Sequence, residues 1–145
     1  MSSSPIVSVE HTVVAEAPIG AVYERWSRIE EFPSFMEGVR EIGWLDEKRF
    51  HLTSESAGRI FESVCEITLR IPERRLAWRT LSGPGSSGVA CFENAGHGRT
   101  KVTLKMRYDP TNGWEDHEQV EGRLQRNLRR FKDLVEKAAA ASVPK

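Results

Sequence analysis

The chain has 145 residues, with 21 Lys and Arg against 21 Asp and Glu, so its formal net charge at pH 7 is zero. This balance gives no overall attraction to nucleic acid or to acidic lipid. Hydrophobic residues make up 39% and charged residues 29% of the chain, and no apolar run approaches the roughly 18 residues of a membrane span. We therefore expect one folded domain, residues 1–145, that neither binds nucleic acid nor inserts stably into a membrane.

The N-terminal segment and the cysteines favour a cytoplasmic protein. Residues Met1–Pro5 lack the charged and apolar regions of a secretory signal. Cys65 and Cys91 are too few for a disulfide framework, so we expect both to be free thiols. Neither a Cys-x-x-Cys nor a His-x-x-x-His spacing occurs, and we predict neither a metal site nor a cofactor.

The chain begins with one predicted strand and two short helical segments. Residues 6–15 alternate apolar and polar side chains, which indicates a half-buried strand. Pro18 follows at a position suited to the first turn of a helix, where its missing N–H would have no partner in any case. Pro33 then interrupts the helical pattern, with Phe35 and Met36 forming an apolar cluster beside it.

Six further strands are predicted, separated by turns rich in glycine, proline and acidic residues. Links this short imply antiparallel neighbours. The six segments are residues 39–45, 49–56, 59–71, 75–81, 89–92 and 100–108.

The last predicted element is a long amphipathic helix. Asn112 and Glu115 resemble a capping box at its start. We expect the helix to fray within the alanines at 138–141. Its apolar face consists of Trp114, Val120, Leu124, Leu128, Phe131 and Val135.

The order of strand, two helices, six strands and long helix predicts an α+β domain. An antiparallel sheet in such a domain is covered by helices on one face. A strongly curved sheet around a single long helix leaves space between the two. We therefore expect a cavity between the sheet and the C-terminal helix.

Several segments, spread over nearly the whole chain, form a family pattern. They are Ala17-Pro18, Trp26, Glu31–Val39, Arg49–Leu52, Pro72–Trp78, Gly88-Val89, Arg99–Thr103, Tyr108–Pro110 and Leu128–Lys132. The pattern resembles the START-like (SRPBCC) superfamily with the helix-grip fold, and within it the bacterial polyketide cyclase/dehydrase branch. The resemblance implies a curved sheet of about seven strands around the C-terminal helix. It also implies a cavity for a hydrophobic molecule such as a lipid, isoprenoid, hormone or polyketide.

The chain departs from the pattern of that branch at Glu62-Ser63, where relatives usually carry a Glu-Trp pair. A small hydroxyl residue replaces a large aromatic one. This substitution predicts an enlarged or reshaped cavity.

Two residues are candidates for catalysis. His11 lies on the apolar side of the first strand, and imidazole titrates near neutral pH. Tyr108 shares its side of the last strand with apolar residues, so its hydroxyl is expected to point inward. As acid and base, with Ser63 as a hydrogen-bond donor, they would suit a polyketide cyclase. The alternative is that each is a structural residue with its polar group satisfied.

The candidate ligand contacts are large inward-facing residues with a few small polar ones, because ligand pockets are mostly apolar. Each of them is equally compatible with a place in the core. They are Trp26, Phe35, Met36, Phe61, Ser63, Cys65, Trp78, Met106, Trp114, Leu124 and Leu128.

Three further patterns favour ordinary structural roles. Gly83–Gly88 matches a dinucleotide-binding G-x-G-x-x-G, but the segment after it is a predicted strand rather than a helix, so we expect a hairpin loop. Glu62 and Glu66 share the polar side of one strand and are expected to be solvated. The arginines near the turn at 72–73, together with Arg59, form either a basic patch for a head group or a solvated surface.

These observations lead to a first hypothesis and an alternative. The first is binding of a hydrophobic, lipid- or polyketide-like molecule in the cavity. The alternative is a polyketide aromatase/cyclase or dehydratase acting on a poly-β-ketone. A contact with a carrier protein, with another partner protein or with a second copy of the chain is left open.

Overall fold

A computed structural model describes residues 6–56, 58–83, 86–109 and 117–142. The elements in chain order are strand β1 (Val7–Ala15), helix α1 (Ile19–Ser27), a 3-10 helix (Ile29–Ser34), β2 (Val39–Trp44), β3 (Arg49–Ser56), β4 (Arg59–Ile71), β5 (Arg75–Ser82), β6 (Ser86–Gly96), β7 (Arg99–Tyr108) and helix α2 (His117–Ser142). This order confirms the predicted arrangement of one strand, two helices, six strands and a long helix.

The seven strands form one antiparallel sheet in the order β1-β7-β6-β5-β4-β3-β2. Strands β2 to β7 pair with their neighbours along the chain, as the short turns predict. The first strand pairs with the last, from Val7 opposite Tyr108 to Ala15 opposite Thr100. Strands β1 and β2 are therefore the two edges of the sheet, and α2 covers its inner face.

The structure differs from the sequence-based prediction in three local features. Strand β6 is longer than residues 89–92, because it pairs with β7 from Ser86 to Gly96. Leu69 shares the alternating apolar side of β4 with Cys65 and Ile67 in the sequence, but it is 38% exposed, because an irregularity in the β4–β5 pairing lies between Ile67 and Leu69. Helix α2 does not fray at the alanines and stays helical to Ser142, in keeping with the high helix propensity of alanine.

An aromatic cluster joins α1 and the 3-10 helix to α2. The Trp26 indole lies 4.9 Å from the Phe131 ring of α2, centre to centre, at an interplanar angle of 83°. Phe32 and Phe35 pack on the same indole at 5.4 and 5.9 Å, and Phe92 of β6 lies at 6.4 Å. Such tilted and edge-on arrangements are the favoured ones for aromatic pairs. The cluster therefore anchors the middle of α2 to the rest of the domain.

The α2 face that packs on the sheet is the one predicted from the sequence. Val120, Leu124, Leu128, Phe131 and Val135 are all buried. Trp114, Asn112 and Glu115 lie outside the described residues. Both cysteines are free, as expected. Within the described ranges, no helix is long and apolar enough to cross a membrane.

Replacing Phe131 with alanine should destabilise the fold strongly. The side chain is fully buried against the rings of Trp26 and Phe35, and a Phe→Ala change in a core costs about 3–5 kcal/mol. Urea unfolding followed by circular dichroism measures the loss. Ile60→Ala is the control, because Ile60 is 52% exposed and surface changes stay within about 0.5 kcal/mol. Equal effects of the two substitutions would contradict the anchoring role of the cluster.

Candidate functional site

A cavity lies between the inner face of the sheet and the N-terminal half of α2. Its volume is about 140 Å³, counted as the space open to the centre of a water-sized sphere. On this measure a single water molecule needs only about 10–15 Å³, so the cavity has room for a small organic molecule. Its walls come from the 3-10 helix, the segment before β2, strands β2 to β7 and α2. The wall residues are Ile29, Phe32, Met36, Glu37, Gly38, Val39, Ile42, Phe50, Leu52, Ser54, Glu55, Phe61, Cys65, Ile67, Leu76, Trp78, Thr80, Ser86, Leu104, Met106, Val120, Arg123, Leu124 and Asn127.

Most of the cavity wall is apolar, and its large side chains are not fully covered. Phe61, Trp78, Met106 and Leu52 all point to the inner face, yet they remain only half-buried. They face the space between the sheet and α2, which no side chain of the described cavity wall fills. The cavity thus exposes apolar surface that a hydrophobic ligand would cover.

Gly88 of β6 allows the Trp78 indole to lie close to the β6 backbone. A Cβ atom on Gly88 would lie 2.5 Å from Cη2 of the Trp78 indole and 2.6 Å from the carbonyl oxygen of Lys105. Any side chain at this position would therefore push the indole out of its place. Glycine is used here for close approach, and it sets the shape of the cavity wall.

A small group of hydroxyl and thiol side chains lies on the β4–β6 side of the cavity. The Thr80 hydroxyl donates a hydrogen bond to the carbonyl oxygen of Ser86 at 2.8 Å, and Sγ of Cys65 lies 3.7 Å from the same hydroxyl. Burial raises the pKa of the Cys65 thiol, although the contact with Thr80 acts in the opposite direction. A thiol in this state is protonated at neutral pH and is a poor nucleophile.

The mouth of the cavity is bordered by residues 36–39, which we call the mouth loop. Its backbone is held from two sides. The Glu37 N–H donates to Oδ1 of Asn127 on α2 at 2.9 Å, and the Gly38 carbonyl accepts from the Glu55 N–H of β3 at 2.7 Å. Gly38 has a φ of 88°, and an added Cβ would lie 3.1 Å from the Glu55 carbonyl oxygen. The loop therefore connects α2 to the sheet next to the opening.

The Glu37 side chain strengthens that connection. Arg126 of α2 donates to both of its carboxylate oxygens, at 2.8 and 2.9 Å, and Arg130 lies 3.7 Å away. The hydrogen bonds from Arg126 lower the pKa of the Glu37 carboxyl below its ordinary value of 4.5. Burial opposes this shift, and the charges of Arg126, Arg130 and Arg123 add to it. The carboxylate is therefore ionised at neutral pH and part of an ion-pair network.

The cavity brings together six of the residues predicted to contact a ligand. These are Met36, Phe61, Cys65, Trp78, Met106 and Leu124. Trp26, Phe35 and Leu128 are buried but belong to the core beyond the cavity wall. Trp114 lies outside the described residues. Contact between these residues and a ligand stays a prediction.

Ser63 is buried on the inner side of β4 but does not line the cavity. It lies next to Gly83, which follows β5 with a φ of 81°. A Cβ on Gly83 would meet the carbonyl oxygen of Glu62 first and would lie 3.1 Å from the Ser63 hydroxyl oxygen. Gly83 thus packs closely on the β4 backbone at these two residues, and the Ser63 side chain adds no space to the cavity directly.

The two catalytic candidates also lie away from the cavity wall. His11 is half-buried on the side of β1 that carries the buried residues Val9 and Ala15. Tyr108 is 4% exposed, and its hydroxyl lies 3.0 Å from Nδ1 of His117, whose Nε2 is 3.2 Å from Glu121. This chain of contacts connects the end of β7 to the start of α2. An acid–base role for His11 and Tyr108 stays a prediction that the geometry does not favour.

The sequence analysis missed the polar residues of the mouth. Asn127 is 8% exposed and lies between Leu124 and Leu128 on the apolar side of α2. A single amide in such a position was the available signal, because a buried polar group needs a partner. Arg123 and Glu37 carried no comparable signal, since charged residues are common on exposed surfaces.

The remaining candidate patterns have surface roles. Glu62 points outward, where it contacts His51 and accepts a hydrogen bond from Thr53 at 3.0 Å, and Glu66 pairs with Arg79 at 3.0 Å. Arg59 packs on the Phe61 ring at one end of β4, and the turn at 72–73 follows the opposite end. The proposed basic patch is therefore not continuous with Arg59. Pro84 and Gly85 lie outside the described residues, and the segment around them joins two strands.

Comparisons with known proteins agree with this architecture. A family model described as polyketide cyclase/dehydrase and lipid transport matches residues 15–131. An uncharacterized 17.2 kDa protein of Streptomyces lincolnensis is 32% identical over 133 residues, covering 88% of this chain and 89% of that protein. The crystal structure of the Zhui aromatase/cyclase from Streptomyces sp. R1128 superposes with a TM-score of 0.73 at 21% identity, covering 96% of each chain. A START superfamily protein from Mycobacterium smegmatis superposes with a TM-score of 0.72 at 12% identity, covering 94% of this chain and 99% of that one. The two structures confirm the predicted helix-grip class.

Replacing Glu37 with glutamine should destabilise the protein in a pH-dependent way. The pKa of Glu37 is lower in the folded state than its ordinary value of 4.5, so the ionised carboxylate stabilises the fold above that pH. This contribution is lost as the pH falls through the lower, folded-state pKa. We expect the unfolding free energies of the wild type and E37Q to differ at pH 7 and to converge below pH 4.5.

Urea unfolding at a series of pH values measures this difference. The control is Glu47→Gln, which changes an exposed carboxylate in the turn before β3 and should alter stability by no more than about 0.5 kcal/mol. A constant difference between wild type and E37Q from pH 7 to pH 3 would show that the ion pairs with Arg126 and Arg130 do not stabilise the fold.

Proposed function

Since the chain belongs to the polyketide cyclase/dehydrase and lipid transport family, we propose that it binds a hydrophobic small molecule in the cavity beneath α2. The observation that carries this proposal is the apolar wall with its half-buried large side chains, among them Phe61, Trp78 and Met106. Covering such surface contributes about 25 cal/mol for each Å² removed from water. A molecule with an apolar body would therefore gain most of its affinity from this wall.

Binding accounts for the geometry better than catalysis does. Cyclisation and dehydration of a poly-β-ketone need groups that accept and donate protons at the reacting atoms. Among the described residues that line the cavity, the titratable groups are Glu37, Glu55, Arg123 and Cys65. Both carboxylates are in ion pairs at the mouth, and the pKa of the thiol is raised. The enzymatic alternative therefore has no acid–base pair within the described cavity wall.

Filling part of the cavity should weaken ligand binding, whereas a change on the outer face of the sheet should not. Leu52 of β3 lines the cavity, whereas its neighbour Thr53 points outward and hydrogen-bonds Glu62. We expect Leu52→Trp to weaken binding of the neutral probe N-phenyl-1-naphthylamine at least about tenfold, which corresponds to roughly 1.4 kcal/mol. Fluorescence titration of the purified protein measures the dissociation constant.

Thr53→Trp is the matched control, because it adds the same indole on the opposite face of the same strand. It should leave the dissociation constant unchanged. Thermal unfolding of both variants checks that they are folded, since overpacking costs about 1–3 kcal/mol. Tight binding of the probe by a folded L52W variant, or no binding by the wild type, would refute the proposed site.

A further inference from the structure

We propose that the cavity selects amphipathic ligands that carry one anionic head group, which Arg123 and Asn127 hold at the mouth. This inference rests on the proposed binding function and adds the chemical class of the ligand. The apolar part of the molecule would lie against the wall, and its carboxylate would lie at the mouth loop. Neutral ligands of the same shape would bind less tightly.

The first argument is the position of the two side chains. Arg123 and Asn127 are four residues apart on α2, and both line the cavity together with Leu124. Residues at this spacing lie one above the other on the same side of a helix. They are also the two polar α2 residues of the cavity wall. An incoming head group would therefore meet both of them at once.

The second argument is the orientation of the Asn127 amide. Its Oδ1 accepts the hydrogen bond from the Glu37 N–H, so the carbonyl end of the amide is already used. Within the described residues, Nδ2 has no hydrogen-bond acceptor, and it is not among the fully enclosed unpaired atoms. Nδ2 therefore keeps some exposed surface and can donate to a ligand. At the cavity mouth Asn127 can thus donate a hydrogen bond from Nδ2 to an oxygen atom of a ligand.

The third argument is the charge around the mouth. Glu37 is paired with Arg126 and Arg130, and Glu55 is paired with Arg40 at 3.0 Å. Arg123 adds a further positive charge on the cavity wall and contributes to the lowered pKa of Glu37. Both carboxylates of the cavity wall are thus already held by other arginines, and Arg123 lies beside them on α2. A guanidinium group in this position attracts an anion more strongly than a cation or a neutral group.

A carboxylate suits these donors chemically. Its two oxygens accept hydrogen bonds in one plane, and a guanidinium group donates in a planar fork. Charge-assisted hydrogen bonds are roughly twice as strong as neutral ones. A carboxylate at the mouth would thus gain more from Arg123 and Asn127 than the hydroxyl of a matched alcohol.

The test compares decanoate with decanol as competitors for bound N-phenyl-1-naphthylamine at neutral pH and low salt. The neutral reporter measures the cavity itself, and the pair of competitors measures the head-group preference. We expect the wild type to bind decanoate about tenfold more tightly than decanol. The preference should fall to less than about twofold in Arg123→Gln, because the charge is removed.

Arg129→Gln is the control, since it removes the same charge from an exposed position on α2. It should keep the full preference. Asn127→Asp provides a second variant that retains the acceptor for the Glu37 N–H and places a negative charge at the mouth. We expect this variant to bind decanol as well as or better than decanoate. It also tests the proposal if R123Q fails to fold.

Three results separate the failure of this inference from the failure of the proposed function. If the wild type does not bind the neutral reporter, the cavity is not a binding site and both proposals fail. If the reporter binds but decanoate and decanol compete equally well, only the head-group inference fails. A preference for decanoate that persists in both R123Q and N127D would also overturn it.

Discussion

The packing of Trp26 against Phe131 is the constraint on which the rest of the structure depends. This contact holds the middle of α2 against α1, the 3-10 helix and β6. The helix is a rigid rod, so fixing it at this point also fixes the height of its N-terminal half above the sheet. Val120 and Leu124 then form one wall of a cavity and do not fill the space. The domain is closely packed around the aromatic cluster and open beyond it.

A network of polar contacts holds the mouth loop in place beside the opening of the cavity. Glu37 contributes its backbone N–H to Asn127 and its carboxylate to Arg126 and Arg130. Exposed ion pairs contribute little stability each, but here they connect the loop to the helix beside the opening. Arg123 lies one turn before Asn127 on the same helix and lines the cavity. The residues that shape the mouth and those proposed to bind the head group therefore belong to one network.

The half-buried apolar wall lowers the stability of the folded protein, and this loss is consistent with a ligand-binding role. Large side chains such as Phe61, Trp78 and Met106 gain less from folding than they would in a filled core, because part of their surface stays uncovered. Gly88 preserves this arrangement, since any side chain there would displace the indole of Trp78. A protein that keeps such a space stabilises it with contacts elsewhere, and the aromatic cluster supplies them. A bound ligand would cover the apolar surface that these side chains leave exposed.

The sequence by itself determined the order of the elements, the inner side of most strands and the apolar side of α2, because these follow from local periodicity. It also identified six residues of the cavity wall, including Trp78 and Met106. Tertiary structure alone decided which inward residues line the cavity and which pack in the core. The alternation along β4 places Phe61 and Ser63 on the same side, although only Phe61 lines the cavity. The bulge that exposes Leu69 depends on strand pairing. The contacts of Glu37 with Arg126 and Asn127 connect residues about 90 positions apart. No local pattern encodes such a contact, because it forms only once the aromatic cluster has placed α2 over the sheet.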